Sequence, residues 1–313
     1  MMRTIAATRA IGAAVIRSPA MLQAGRQLSR LAQQRFAAEV ARLAVRSLYA
    51  ELSLYPKPGL VSLIDSGSHA DMNASTFMHS LFSLRHYFKK ICLAGLNDAP
   101  FSQLKQLGIA AEAAMLKATH GINTHRGAIF SLGLLCATAG RARAQGMPMT
   151  PAALRAAMLI RWGEELAMHA ATPSIAAPSN GLNVAARYAA SGAREEGALG
   201  LPSVFDIGLP ALQASLTRGA DPTMARIDAL FALMAHISDS NVYHRAGLQG
   251  AQTVRSHAQR FNELGGTANP DWHAQALASH HQFVAQRLSP GGAADLLAAS
   301  CLVQSIAARY AGL

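Results

Sequence analysis

Apolar residues recur at every third or fourth position over most of the chain, the spacing of amphipathic α-helices. Over 39–54 the stripe is Val40, Leu43, Ala44, Ser47, Leu48 and Leu52. It stops at Tyr55-Pro56-Lys57-Pro58-Gly59, because two prolines and a glycine cannot continue a helix. The same period predicts helices over 75–92, where Phe77, Leu81, Leu84, Phe88 and Ile91 share a face, and over about 101–119. The stretch 127–139 is apolar nearly all round and is expected in the middle of the fold. Further helices are expected over 151–169, 181–191, 223–237, 247–263, 272–287 and 290–310. No alternating β-branched run bounded by turns is present, and no repeat period is visible. The expected fold is all-α: a single multi-helix globular domain with its functional loops between helices.

Composition agrees. Alanine, the best helix former, supplies 64 of 313 residues, and charged residues only 14%. These proportions exclude intrinsic disorder, collagen and a disulfide scaffold. Cys92, Cys136 and Cys301 lie far apart in apolar surroundings and are expected to be buried thiols. No uninterrupted run reaches the roughly 18 apolar residues that span a bilayer, so a soluble cytoplasmic protein without membrane contact is expected.

The net charge of +11 first suggests a polyanionic partner. Residues 1–38, however, hold six arginines and no Lys, Asp or Glu, which leaves +5 on 39–313. We therefore expect a basic, disordered N-terminal extension over 1–38 and a helical domain over 39–313.

Polar residues gather in the breaks between helices, where a rigid scaffold usually holds its chemistry. Lys57, pinned between prolines, can meet a phosphate as a point charge or be a solvated lysine on a rigid turn. Asp65, His69 and Asp71 precede the second helix and can form a cation site; Asp71 can alternatively act as an acid or base, or Asp71 or Asn73 can cap the helix. Asn123, Thr124, His125 and Arg126 lie between two glycines at the start of the fourth helix. This is a plausible phosphate cradle, with Glu112 two turns earlier facing the same space or solvent. Arg194 can clamp a phosphate or pair with its neighbouring glutamates. Asp239 and Asn241 form a second possible oxygen site for magnesium. Ser289 as cap, Pro290, Gly291, Gly292 and Asp295 make a helix start whose free N–H groups suit an anion.

Seven stretches then carry a family resemblance. They are YPKPGLV (55–61), DSGSHADM (65–72), GIAAEAAM (108–115), ATHGINTHRGAIFSLGLL (118–135), GAREEGALGLP (192–202), DSN (239–241) and LSPGGAADLL (288–297). In this order they resemble the triphosphoribosyl-dephospho-coenzyme A synthases, and 65–88 is more similar to the malonate decarboxylase branch than to the citrate lyase branch. Three departures stand out: Ser240 where the family has threonine, Glu196-Gly197 where it has Glu-Ala, and His120 where it has glycine.

The resemblance implies a transferase that moves the triphosphoribosyl group of ATP to the 2′-hydroxyl of 3′-dephospho-coenzyme A and releases adenine. It implies Mg²⁺ as cofactor, and a holo-acyl-carrier-protein synthase to receive the product. No nucleic-acid partner is implied, and an oligomer is compatible. By position, Asp71 is the first candidate general base and Glu112 the second. Asp65, Asp239, Asn241 and Asp295 are candidate magnesium ligands. Lys57, Arg126 and Arg194 position the triphosphate, with Ser289, Gly291 and Gly292 at the helix start. His69, Asn123, Thr124 and His125 line the nucleotide pocket. A magnesium-dependent ribosyl glycohydrolase is the competing enzyme reading. A nucleic-acid-binding helical module is the non-enzymatic one, disfavoured by dispersed arginines and few aromatics.

Overall fold

A computed structural model describes residues 19–172 and 192–311. The helix expected over 181–191 and residues 1–18 lie outside the described residues. Among the described residues every regular element is helical, as the period and alanine content predict.

The helices are α1 (Pro19–Leu52), α2 (Ala74–Ser83), α3 (Arg85–Leu96), α4 (Phe101–Ala118), α5 (Arg126–Ala144) and α6 (Pro151–Ala171). They continue as α7 (Ala193–Ala198), α8 (Leu209–Thr217), α9 (Pro222–His236), α10 (Ser240–Glu263), α11 (Trp272–Ala285) and α12 (Gly291–Arg309). A π-helical turn, Ser203–Gly208, leads directly into α8.

The core has two parts. In the first, α5 lies among α1, α3, α4, α6 and α12 and is buried nearly all round, as its sequence predicts. Close crossing explains its small residues. A side chain on Gly95 of α3 would strike the Ala137 carbonyl, and one on Gly140 would strike the Cys92 carbonyl. The second part joins α8, α9, α10 and α11 around Leu230, Phe231 and Phe283. Helix α12 belongs to both, with Ala298, Leu302 and Ile306 in the first and Leu297 and Cys301 in the second. By length and composition alone α12 could cross a membrane, but here it packs inside the protein against α1, α5 and α9. The three cysteines are free and buried.

Some boundaries differ from the sequence reading. The 75–92 helix breaks at the buried Leu84, whose N–H bonds to both the Leu81 and Phe82 carbonyls and tightens the turn. Helix α1 starts well before residue 39, so the expected boundary at 38 falls inside a continuous helix, with Phe36 and Ala37 already in the core. Helix α8 falls outside the expected helices; its Pro210 sits in the first turn, where proline is tolerated.

Candidate active site

The starts of α5, α10 and α12 converge, and two aspartates join them. Asp239 caps α10 by accepting the Asn241 N–H at 2.9 Å through Oδ1. Its Oδ2 accepts the Ala293 N–H at the start of α12 at 3.0 Å. Gly291 and Gly292 permit this approach: a Cβ on them would come within 3.0 Å of Asn241 Nδ2 and of Asp239 Oδ2, respectively. Asp295, one turn along α12, reaches the start of α5 and accepts the Ala128 N–H. Burial pushes both carboxyls above the usual range, and the Glu51 and Asp239 charges push Asp295 further.

The helix starts read as open anion sites are therefore largely filled by the protein. Asp239 and Asp295 take N–H groups of α12 and α5, and Asn123 Oδ1 accepts the Arg126 N–H at 3.2 Å. Ser289 is not the cap of α12, which starts at Gly291; its hydroxyl instead lies 2.8 Å from His69 Nε2.

Lys57 and Asp65 stand apart from the other sequence-predicted positions. Lys57 is fully buried beneath the site, its Nζ 2.6 Å from Glu51 Oε1 and 3.0 Å from the Glu51 carbonyl, with burial lowering its pKa. A lysine held this way is a counter-charge for a buried glutamate, not a cation reaching into solvent. Asp65 Oδ1 accepts the Gly67 N–H at 2.8 Å, and its Oδ2 lies 3.3 Å from His280 Nε2.

The remaining positions share one cleft of about 1430 Å³. Glu112 accepts from Arg126 Nε at 2.7 Å, so each half-satisfies the other. Arg194 donates to the Thr172 carbonyl at 3.2 Å. The glutamates beside it are used elsewhere: Glu195 accepts the Gly192 N–H, and Glu196 accepts from Ser203. Asp71 is exposed, 3.7 Å from His69 Nδ1. His125 is buried with Nδ1 2.6 Å from Ser80 Oγ, which also accepts from Thr124 Oγ1 at 2.7 Å. Its Nε2 has no partner among the described residues, and burial, then the Lys57 charge, lowers its pKa to about 3.

Helix α4 gives the cleft a direction. Phe101, Leu104, Lys105, Gly108, Ile109 and Glu112 form one helical stripe along it, apolar at the α4 start and charged at the Glu112–Arg126 end. Described acidic lining residues (Glu51, Asp71, Glu112, Glu195, Glu196, Asp239, Asp295) outnumber the basic ones (Lys105, Arg126, Arg194, Arg245). The residual +5 over 39–313 is therefore not concentrated in the described lining of the cleft. No group of three or more His, Cys, Asp or Glu among the described residues is arranged to hold a metal ion alone. An acid-rich cleft does fit magnesium arriving with a polyphosphate, since Mg²⁺ usually takes one or two carboxylates plus phosphate oxygens and water.

Comparison with known proteins decides the family. The family described as ATP:dephospho-CoA triphosphoribosyl transferase matches residues 37–312. The chain belongs to this family. It is 40% identical over 278 residues to a protein of Stutzerimonas stutzeri named "Probable 2-(5''-triphosphoribosyl)-3'-dephosphocoenzyme-A synthase", covering 86% of this chain and 92% of that one. A protein of the same name from Acinetobacter calcoaceticus is 38% identical over 82% of this chain and 86% of its own. The 2-(5''-triphosphoribosyl)-3'-dephosphocoenzyme-A synthase of Pectobacterium atrosepticum is 36% identical over 85% and 88%. No solved structure matches.

In this triphosphoribosyl transferase family member the cleft is also lined by residues that sequence reasoning passed over. Glu51 was legible as a charge in the buried stripe of α1, in step with Val40, Ala44 and Ser47. Arg245 follows the DSN stretch by one helical turn, yet nothing local ties it to a loop 176 residues away. His236 and His244 likewise reach the cleft only through the packing of α9 and α10.

Proposed function

We propose that the cleft transfers the 5-triphosphoribosyl group of ATP to the 2′-hydroxyl of 3′-dephospho-coenzyme A, releasing adenine. The observation that carries the reading is that all seven sequence stretches of the family resemblance place residues on this one cleft. Its volume of about 1430 Å³ also exceeds the roughly 300–1,000 Å³ of a single small-molecule site, as two substrates require.

In the reaction a bond forms between the acceptor oxygen and C1 of the ribose, the bond from C1 to adenine breaks, and the triphosphate stays attached. Asp71, exposed and acidic, is placed to take the hydroxyl proton as the first candidate base. Glu112, tied to Arg126, is the weaker candidate. Asp239 and Asp295, in their ionised form, supply negative potential to an oxocarbenium-like centre, whereas Glu51 is neutralised by Lys57. Arg126 and Arg194 orient the triphosphate. Asp239, Asn241 and Asp295 are the positions that would hold Mg²⁺, which supplies charge neutralisation for the phosphates when bound. The apolar stripe of α4 and α5 suits the pantetheine arm of the acceptor.

We assign the product to the prosthetic group of malonate decarboxylase, on the similarity of residues 65–88, with a holo-acyl-carrier-protein synthase as the next enzyme. A reducing cytoplasm agrees with three free, buried thiols. The test is product analysis with ATP, magnesium and 3′-dephospho-coenzyme A. A triphosphoribosyl adduct with acceptor-dependent adenine release supports the transfer, whereas equal release without acceptor makes the protein a glycohydrolase. Asp71→Asn should lower turnover by about a hundredfold or more with the fold intact; wild-type turnover in that variant removes Asp71 from the role.

A further inference from the structure

Helix α10 is interrupted at Gly247, where φ 58° and ψ −153° describe a backbone open in practice only to glycine. The short segment before it, capped by Asp239, carries Asn241, His244 and Arg245 to the cleft. Glycine adopts this backbone without a steric penalty, so the break re-aims the short segment before it. Here it presents Arg245 to the 65–72 loop. Arg245 Nη1 donates to the Ser68 carbonyl at 3.2 Å, and Nη2 lies 3.0 Å from His69 Nδ1.

A guanidinium can only donate, so His69 Nδ1 must offer its lone pair and the ring proton must sit on Nε2. Nε2 lies 2.8 Å from Ser289 Oγ and therefore donates to it. Ser289 is left with its own O–H. That group lines the cleft, is nearly buried, and meets no acceptor among the described residues.

We propose that Arg245 is a positioning residue: by occupying the His69 lone pair it makes Ser289 a one-way donor to a phosphoryl oxygen of the bound nucleotide. This rests on the reaction proposed above. Without Arg245 the imidazole can carry its proton on Nδ1, toward Asp71 Oδ1 at 3.7 Å, and accept the Ser289 proton at Nε2. The serine then points its lone pairs at the phosphate.

The charged groups acting on His69 are Arg245 from α10 and Asp71 from its own loop; the chain before α12 offers only the Ser289 hydroxyl. Burial, and then Arg245, hold His69 at about 4, so it is neutral through the working pH range. In Arg245→Gln the Arg245 part of that restraint goes, while burial, the larger cause, remains. Where acid does protonate His69, a proton returns to Nε2 and the donor chain is restored.

The experiment combines imidazole ¹⁵N NMR with the KM for ATP in wild type, Arg245→Gln, Arg245→Lys, Ser289→Ala and the Arg245→Gln/Ser289→Ala double variant. Wild-type His69 should be the Nε2–H tautomer and shift toward Nδ1–H in Arg245→Gln. Ser289→Ala and Arg245→Gln should each raise KM about tenfold at pH 8, the size of one hydrogen bond to a charged group. The double variant should be no worse than Ser289→Ala, and Arg245→Lys, still a pure donor, should recover part of the loss. A wild-type Nδ1–H tautomer or additive effects would overturn the proposal. If the wild type releases no adenine, the reaction falls, and the NMR arm still decides the tautomer.

Discussion

The carboxylate of Asp295 occupies the space that a side chain on Gly127 would fill, so the joint between α12 and α5 depends on a missing methyl group. Gly127→Ala should therefore destabilise the protein by about 2 kcal/mol, typical of overpacking, and lower activity by displacing Asp295. Gly163, inside α6, is the control: an added Cβ there meets only Leu159 at ordinary contact distance, 3.8 Å. Gly163→Ala should be neutral or stabilising by up to about 1 kcal/mol through helix propensity. Urea midpoints of the two variants check the contrast, and equal effects would contradict the packing.

Acid should weaken the fold before most carboxylates titrate. His125 and His69 are held neutral, at about 3 and about 4, chiefly by burial. In the unfolded chain a histidine titrates near about 6.5. Between these values the unfolded state binds more protons, so stability falls as pH drops below the unfolded value and levels off only below the folded ones. The expected slope is up to about 1.4 kcal/mol per pH unit for each histidine. Denaturant midpoints between pH 7 and pH 4 measure it, and His125→Asn should remove one proton's share. Because the raised Asp239 and Asp295 act in the opposite direction, the decisive comparison is between variants: equal slopes for wild type and His125→Asn would refute the neutral, buried state of His125.

Gly108 faces the apolar half of the cleft, and a Cβ there would meet nothing closer than Tyr87 Oη at 3.8 Å. Leucine is a better helix former than glycine, so Gly108→Leu should not unfold α4. It should fill the space assigned to the pantetheine arm. The KM for 3′-dephospho-coenzyme A should rise about tenfold while that for ATP stays near wild type. A rise confined to ATP would reverse the orientation of the two substrates.

His120 has φ 55°, in the left-handed region that glycine adopts without strain, and it is exposed outside the cleft. The family's glycine at this position thus has a backbone reason, and the histidine's bulk does not enter the site. His120→Gly should stabilise the protein by about 1 kcal/mol and leave the KM for ATP unchanged. Thermal unfolding and steady-state kinetics check the two halves.

Much of the site was legible because its residues sit in breaks that local rules locate. The prolines at 56 and 58, the glycines around 121 and 127 and the start of α12 are visible in the chain itself. Lys57 shows where this stopped. Its motif was plain, but whether it faced a phosphate or Glu51 depended on how the 55–61 turn packs beneath α1, which no local pattern encodes. The starts of α5 and α12 were read as anion sites for the same reason: their N–H groups were foreseeable, whereas the aspartates that occupy them come from distant segments.

Periodicity, alanine content and the seven ordered stretches by themselves determined an all-helical chain of the triphosphoribosyl transferase family, because helix formation and motif chemistry are local properties. Only the tertiary structure decided which charges neutralise one another and which face the cleft. It paired Glu51 with Lys57, turned Asp239 and Asp295 onto helix starts, and brought Arg245 to His69 across 176 residues. Those choices follow from burial, which makes an unpaired charge too costly and forces each polar group to find its partner wherever the fold places one.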